Sequence, residues 1–160
     1  MTKHDATLPQ IAADAARVSA IQTALETVRE SLGMEVGYLS EFVEERAVFR
    51  AVSAPGLDAM IQPSQSMDLR DVYCKHILDG GLPRLMGDTS QHAIAVDLPI
   101  TRMIPIGSHL SVPVHRADGS VFGMFCFLSR TARTDLDDAA LHLVETQSRQ
   151  VASYLDPQPR

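Results

Sequence analysis

The sequence predicts an α+β fold: one domain in which antiparallel strands lie between a helix at each end of the chain. Three observations predict it. Apolar residues recur at spacings of three and four near both ends. Between those ends the period falls to two. Two tight turn signals, Glu44-Glu45-Arg46 and Asp118-Gly119, join consecutive alternating segments and so make them antiparallel hairpins. At 160 residues the chain fits one domain and is long enough to bury a core.

The first element is a helix over 8–32, preceded by a tail over 1–7. Ile11, Val18, Ile21, Leu25, Val28 and Leu32 form one narrow stripe, and Gly33 ends it, as glycine does just past a helix. Val36, Tyr38, Ser40 and Phe42 then alternate with Glu35, Gly37, Leu39 and Glu41, and 47–53 returns as the second strand of a hairpin. Residues 54–67 read as a loop punctuated by Pro55-Gly56 and Pro63. A short helix follows over 68–78, stopped by Gly80-Gly81, and then a short strand over 84–86. In 89–105 the pattern predicts a short helix near 90–96 and a loop through Pro99 and Pro105.

The second hairpin carries the sharpest signal. A two-residue Asp118-Gly119 turn sets Val112 against Phe125, Leu110 against Phe127 and Ser111 against Cys126. The closing helix covers 135–155, capped by Thr134 or Asp135, with Ala140, Val144, Gln147, Val151 and Tyr154 repeating at four and three. Residues 156–160, with Pro157 and Pro159, read as a linker or chain end. The two terminal stripes fit a coiled-coil seam or packing of each helix on its own sheet, and both hold if the helices lie side by side with a shared outer seam.

Composition excludes several functions. The net charge is −6 with no block of lysine or arginine, which argues against nucleic acid and against anionic membranes. The start of the chain has no apolar signal core and no run reaches membrane-spanning length, so cytoplasmic residence is expected. Cys74 and Cys126 are too few and too far apart in sequence for a disulfide scaffold or a zinc site. Cys74 reads as a small buried hydrophobe or a reactive thiol, and Cys126 as a packing residue on the face opposite Phe125 and Phe127, under the terminal helices. His76 and His92 fit haem or metal ligation, hydrogen bonding to an acidic ligand, or ordinary surface roles, and neither has a second metal-type residue at metal-site spacing. Asp88, before Thr89-Ser90, fits a helix cap or a polar anchor at a pocket mouth. Catalysis would need a nucleophile and a base, for which Cys74 with His92 is a candidate pair; no catalytic motif is present and no enzyme is expected.

Tyr73-Cys74, Leu82-Pro83, Asp88, Ile106-Gly107-Ser108, Val112-Pro113 and the run from Gly119 to Phe127 carry a family resemblance through their order and spacing. Along nearly its whole length the chain resembles a GAF domain, most of all those placed ahead of bacterial cyclic di-GMP synthesising or degrading modules or histidine kinases. The resemblance implies a six-stranded antiparallel sheet with the N- and C-terminal helices on one face and short helices and loops on the other, enclosing a ligand pocket under a lid. Carried onto this chain, the wall comprises Ser108, Leu110, Val112, Phe125, Phe127 and Ser129, and the lid is 89–106. Tyr73, His76, Asp88 and His92 complete the site.

The implied job is sensory: a small molecule of unknown identity binds, and the change passes through a homodimer formed by helices 8–32 and 135–155. Bilin-binding members carry a cysteine in the segment matching 89–105, and none stands there. The Asn-Lys-Phe-Asp-Glu set of cyclic-nucleotide binders is missing too, and Cys74 with Cys126 do not reproduce the free methionine sulfoxide reductase pattern. Haem would need a pocket histidine, for which His92 is the candidate. The cofactor is therefore left unknown. A second reading is a ligand-free dimerisation module in which the apolar wall is simply filled core.

Overall fold

The computed structural model describes residues 2–3, as backbone only, and 15–155. The predicted helix over 8–14 and the closing segment 156–160 lie outside the described residues, as do residues 1 and 4–7 of the tail. The elements in chain order are β1 (Thr2–Lys3), α1 (Ala15–Leu32), β2 (Val36–Val43), β3 (Arg46–Ser53), β4 (Gln65–Asp68), α2 (Tyr73–Leu78), β5 (Leu85–Met86), α3 (Ala93–Asp97), α4 (Pro99–Met103), β6 (Ser108–His115), β7 (Val121–Ser129) and α5 (Asp138–Leu155).

The sheet runs β1-β4-β3-β2-β7-β6-β5. Its six strands β2 to β7 pair antiparallel throughout, and β1 adds a two-residue edge on β4. Both predicted hairpins are present. Val112 faces Phe125, Leu110 faces Phe127 and Ser111 faces Cys126, as the sequence predicted. The turn itself differs: Gly119 donates to the Arg116 carbonyl (2.9 Å) and Arg116 to the Ser120 carbonyl (2.8 Å), so the loop spans residues 117–119 and Gly119 takes φ +89°. A bulge between Val114 and His115 absorbs the difference, which leaves the body of the register unchanged.

α1 and α5 pack on one face of the sheet and against each other. Ile21, Leu25, Val28 and Leu32 of α1 meet Val144, Val151 and Leu155 of α5 over Leu110, Val112, Val114, Phe125 and Phe127. Burial of these stripes supplies about 1.5–3 kcal/mol per large side chain before entropy. Arg133 ties the helices at one end, donating to the carbonyls of Leu32 and Gly33 at 2.9 Å each. The cap of α5 is Asp137, whose carboxylate accepts from the Ala140 amide (3.1 Å), rather than Thr134 or Asp135; Asp135 is held by Arg133 instead.

The other face carries α2, α3, α4 and the loop 54–64. Three local predictions change here. Residues 65–67, read as loop, and Asp68, read as the start of a helix, add β4 to the β3 edge. The helix predicted over 68–78 splits into a 3₁₀ turn over Leu69–Asp71 and α2, because the Asp68 carboxylate accepts from Arg70 and extended Val72 breaks the run. The loop through Pro99 is α4, with proline at its first turn, where its missing N–H costs nothing.

The sheet faces are opposite to those predicted. Leu110, Val112, Phe125 and Phe127 lie under the terminal helices, while Met124, Cys126 and Leu128 lie under the lid. Alternation gives the phase of a strand but not which face is which. β6 and β7 are buried on both faces, so exposure to water did not tell them apart, and only the polar minority in β6, His109 and Ser111, marked one of them.

Candidate functional site

The centre of the sheet presents a polar strip to the lid. β2 contributes Tyr38 and Ser40, β6 His109 and Ser111, and β7 Cys126, all buried. Hydrogen bonds and ring contacts fix the direction. Tyr73 of α2 stacks on His109 (centroids 4.6 Å, 57° between planes), and Cys74 Sγ lies 4.0 Å from Ser40 Oγ and 3.9 Å from Cys126 Sγ.

The lid is internally bonded. Thr101 of α4 donates to the Ala95 carbonyl of α3 (2.7 Å), which leaves its oxygen to accept from the Tyr73 hydroxyl (2.6 Å). One chain of bonds thus joins α2, α4 and α3. At the lid's base, Thr89 donates its hydroxyl to the Ile106 carbonyl (2.6 Å) and its amide to the Gly107 carbonyl (3.0 Å). Gly107 is required there: a Cβ would sit 2.6 Å from the Arg130 carbonyl.

Several polar groups in this strip are poorly matched. Among the described residues, His109 Nδ1 is buried without a hydrogen-bond partner, and Tyr38 Oη and Ser111 Oγ meet no nitrogen or oxygen partner, only the thiols of Cys74 and Cys126; Ser108 Oγ, on the other face, is unmatched too. Such groups each cost about 1–3 kcal/mol when left dry. Burial pushes the His109 imidazole down to about 3, so it is neutral, and pushes the Tyr38 phenol well above its usual range. The Cys74 thiol is held below its ordinary value by donation from Cys126 and Ser40, whereas burial raises Cys126 well above it. Beside α4 a cleft of about 270 Å³ opens at the edge of the lid, lined by Arg46, Ser66, Met67, Asp68, Asp71, Pro99 and Met103.

The predicted site residues divide into two groups. Tyr73 lies under the lid in the strip. His76 is half-buried, with Nε2 3.1 Å from the Arg70 carbonyl. Asp88 acts as a cap: its carboxylate accepts from the Ser90 amide (3.0 Å) and hydroxyl (2.6 Å), bonds that hold it below the usual carboxylate range. His92 is half-buried at the N-cap position of α3 and makes no side-chain cap bond there.

Ser108, Leu110, Val112, Phe125, Phe127 and Ser129 do not line the lid side. Their strand positions put them on the terminal-helix face, where Phe125 and Phe127 meet edge to face at 4.9 Å. Ser129 accepts from the Glu35 amide (3.1 Å) and donates to Met34 Sδ (3.6 Å). Cys126, expected under the terminal helices, stands in the strip instead. The residues that sequence reasoning passed over are Tyr38, Ser40, His109, Ser111 and Thr101. A signal existed for two of them: His109 and Ser111 alternate with Leu110 and Val112 inside a strand buried on both faces.

Among the described residues no three histidine, cysteine or acidic side chains converge as a metal site, and no helix is long and apolar enough to cross a membrane. On the opposite side, α1 and α5 flank an open groove of about 490 Å³ lined by Ala16, Ser19, Ala20, Thr23, Ala24, Gln147, Gln150 and Tyr154.

Residues 15–156 match the family described as GAF domain. Solved structures share the fold. The GAF domain of an Acinetobacter phosphoenolpyruvate-protein phosphotransferase aligns with TM-score 0.69 at 16% identity, over 87% of this chain and 81% of that one. The GAF domain region of a putative membrane protein from Geobacter sulfurreducens aligns with TM-score 0.68 at 16% identity, over 87% and 92%. A free methionine-R-sulfoxide reductase from Neisseria meningitidis, solved with its substrate, aligns with TM-score 0.67 at 14% identity, over 89% and 80%. No protein with a curated description is similar enough in sequence to count as a match.

Proposed function

The chain belongs to the GAF domain family, a family of sensory and regulatory domains, and from that premise we propose that it binds a small molecule between the sheet and the lid. The observation that carries this reading is the strip of buried polar atoms without a nitrogen or oxygen partner at Tyr38, His109 and Ser111 under the bonded lid helices. A ligand with both donor and acceptor groups would satisfy them, and Nδ1 of neutral His109 offers a donor or an acceptor according to its tautomer. Tyr73 supplies an aromatic wall. The cleft beside α4 is the entry side, and the lid moves to admit the ligand.

Signalling follows from the connections of the lid. The backbone amide of Arg133 donates to the Gly87 carbonyl next to β5, and its side chain holds the end of α1. A lid that shifts its base therefore pulls on the junction between α1 and α5. A ligand moves this balance only by its differential affinity for the two lid states. The helices pass the change to a second copy of the chain, in a cytoplasmic bacterial protein whose output is cyclic di-GMP turnover or phosphorylation. The domain itself performs no catalysis.

The competing reading is a ligand-free dimerisation module. It is favoured by the tight packing under the lid and by the α1–α5 groove, whose small residues Ala16, Ser19, Ala20 and Ala24 suit close helix approach.

Native mass spectrometry of the freshly purified chain separates the readings. A dimer carrying an added small-molecule mass is expected. A bare dimer at every concentration favours the module, and a bare monomer removes both halves of the proposal.

A further inference from the structure

Cys74 and Cys126 are the two cysteines of the sequence, and the fold brings them together. Their sulfurs lie 3.9 Å apart across 52 residues of chain, both fully buried and both reduced. One stands on α2, a six-residue helix bonded to the lid through Tyr73 and Thr101, and the other in the middle of β7, a central strand. We propose that this pair is a modification site, at which a peroxide converts the two thiols to an intramolecular disulfide that fastens α2, and through the Tyr73–Thr101 bond the lid, to the sheet. The inference rests on this geometry alone and is independent of the ligand reading.

A disulfide needs sulfurs about 2.05 Å apart. Starting from 3.9 Å, the approach required is about 2 Å, a distance within reach of side-chain rotation with a small movement of α2. The central strand is paired on both sides, with β2 and with β6, so the short helix is the partner that yields. The environment also assigns the roles. Cys126 and Ser40 both stand where they donate to Cys74, which favours its thiolate as the attacking group, while burial keeps Cys126 protonated until it resolves.

The chemistry balances. The Cys74 thiolate attacks one peroxide oxygen and the O–O bond breaks. Cys74 becomes a sulfenic acid, and the departing hydroxide takes up the proton that Cys74 released, giving water. Cys126 sulfur then attacks Cys74 Sγ; the S–O bond breaks, and the second hydroxide leaves with the Cys126 proton as water. Two thiols and one hydrogen peroxide give one disulfide and two waters, with two electrons passing from the sulfurs to the peroxide. Full burial selects a small oxidant over a bulky disulfide reagent.

The test is to treat the folded chain with hydrogen peroxide, quench it, then denature, alkylate and weigh it. Untreated protein should gain two alkyl groups. Treated protein should gain none, weigh less by two hydrogens, and yield a peptide linking Cys74 to Cys126 that reducing agent separates. Cys126→Ala should give no link and should leave Cys74 as a sulfenic acid trapped by a cyclic dione. Should that variant not fold, Cys74→Ser gives the second control, with one thiol free and no link. Two alkylated thiols after treatment, a link between separate chains, or oxygen added to one cysteine with the other free would each overturn the proposal.

Discussion

Acid should destabilise this fold through one buried residue. His109 is 1% exposed in β6, its Nδ1 has no partner among the described residues, and burial lowers it to about 3 from 6.5. Folded His109 therefore refuses a proton that the unfolded chain accepts. Between those two values the unfolded state binds more protons, so stability rises with pH and is lost on acidification. At about pH 7 the loss is small; by about pH 5 the linkage amounts to roughly 2 kcal/mol, a large share of the 5–15 kcal/mol of an ordinary domain. Urea midpoints of wild type and His109→Gln at the two pH values isolate the effect, because carboxylates such as Glu35, Asp68 and Asp88 are held low in both proteins and release their stabilisation only at lower pH. The wild type should lose about 2 kcal/mol more than the variant on going from pH 7 to pH 5. An equal loss in both would refute the claim that His109 is buried neutral.

Three other outcomes follow from packing and hydrogen bonding. Gly123→Ala places a Cβ 1.8 Å from the Ser40 carbonyl, so β2 and β7 must part; a loss of about 3 kcal/mol or more, or no soluble protein, is expected from denaturant unfolding. Leu25→Ala opens a void between α1 and the sheet where the side chain is fully buried, and should cost about 3 kcal/mol by the same assay. Arg133→Ala removes both bonds to the end of α1 and should cost about 1 kcal/mol, with faster amide exchange confined to the last turn of α1 and the start of α5; unchanged exchange there would show that the arginine does not join them.

The parts of the fold legible in the sequence were those with a strong local signal. Period-two alternation and the Asp118-Gly119 turn gave both hairpins, and the register of β6 on β7 survived even though the turn was one residue longer, because the bulge at Val114 took up the difference. β4 was hidden: four residues reading Gln-Ser-Met-Asp become a strand because β3 offers them an edge. The site was less legible, for a physical reason. β6 and β7 are covered on both faces, so Leu110 and Phe127 on one side and His109 and Cys126 on the other all sit in the interior. A family resemblance pointed to β6 and β7 without fixing which of their faces lies under the lid. The polar minority inside an apolar strand, Ser111 and His109, was the better guide to it.

The central claim, that the polar strip under the lid is where a small molecule acts, is tested most directly by amide and side-chain NMR. The isotope-labelled chain would be titrated with low-molecular-mass fractions of a bacterial extract. Shifts that begin at Tyr73, His109 and Ser111, spread through 89–105 and reach facing residues of α1 and α5 are the predicted result. Shifts confined to the α1–α5 groove, or an unchanged His109 environment across every fraction, would contradict it.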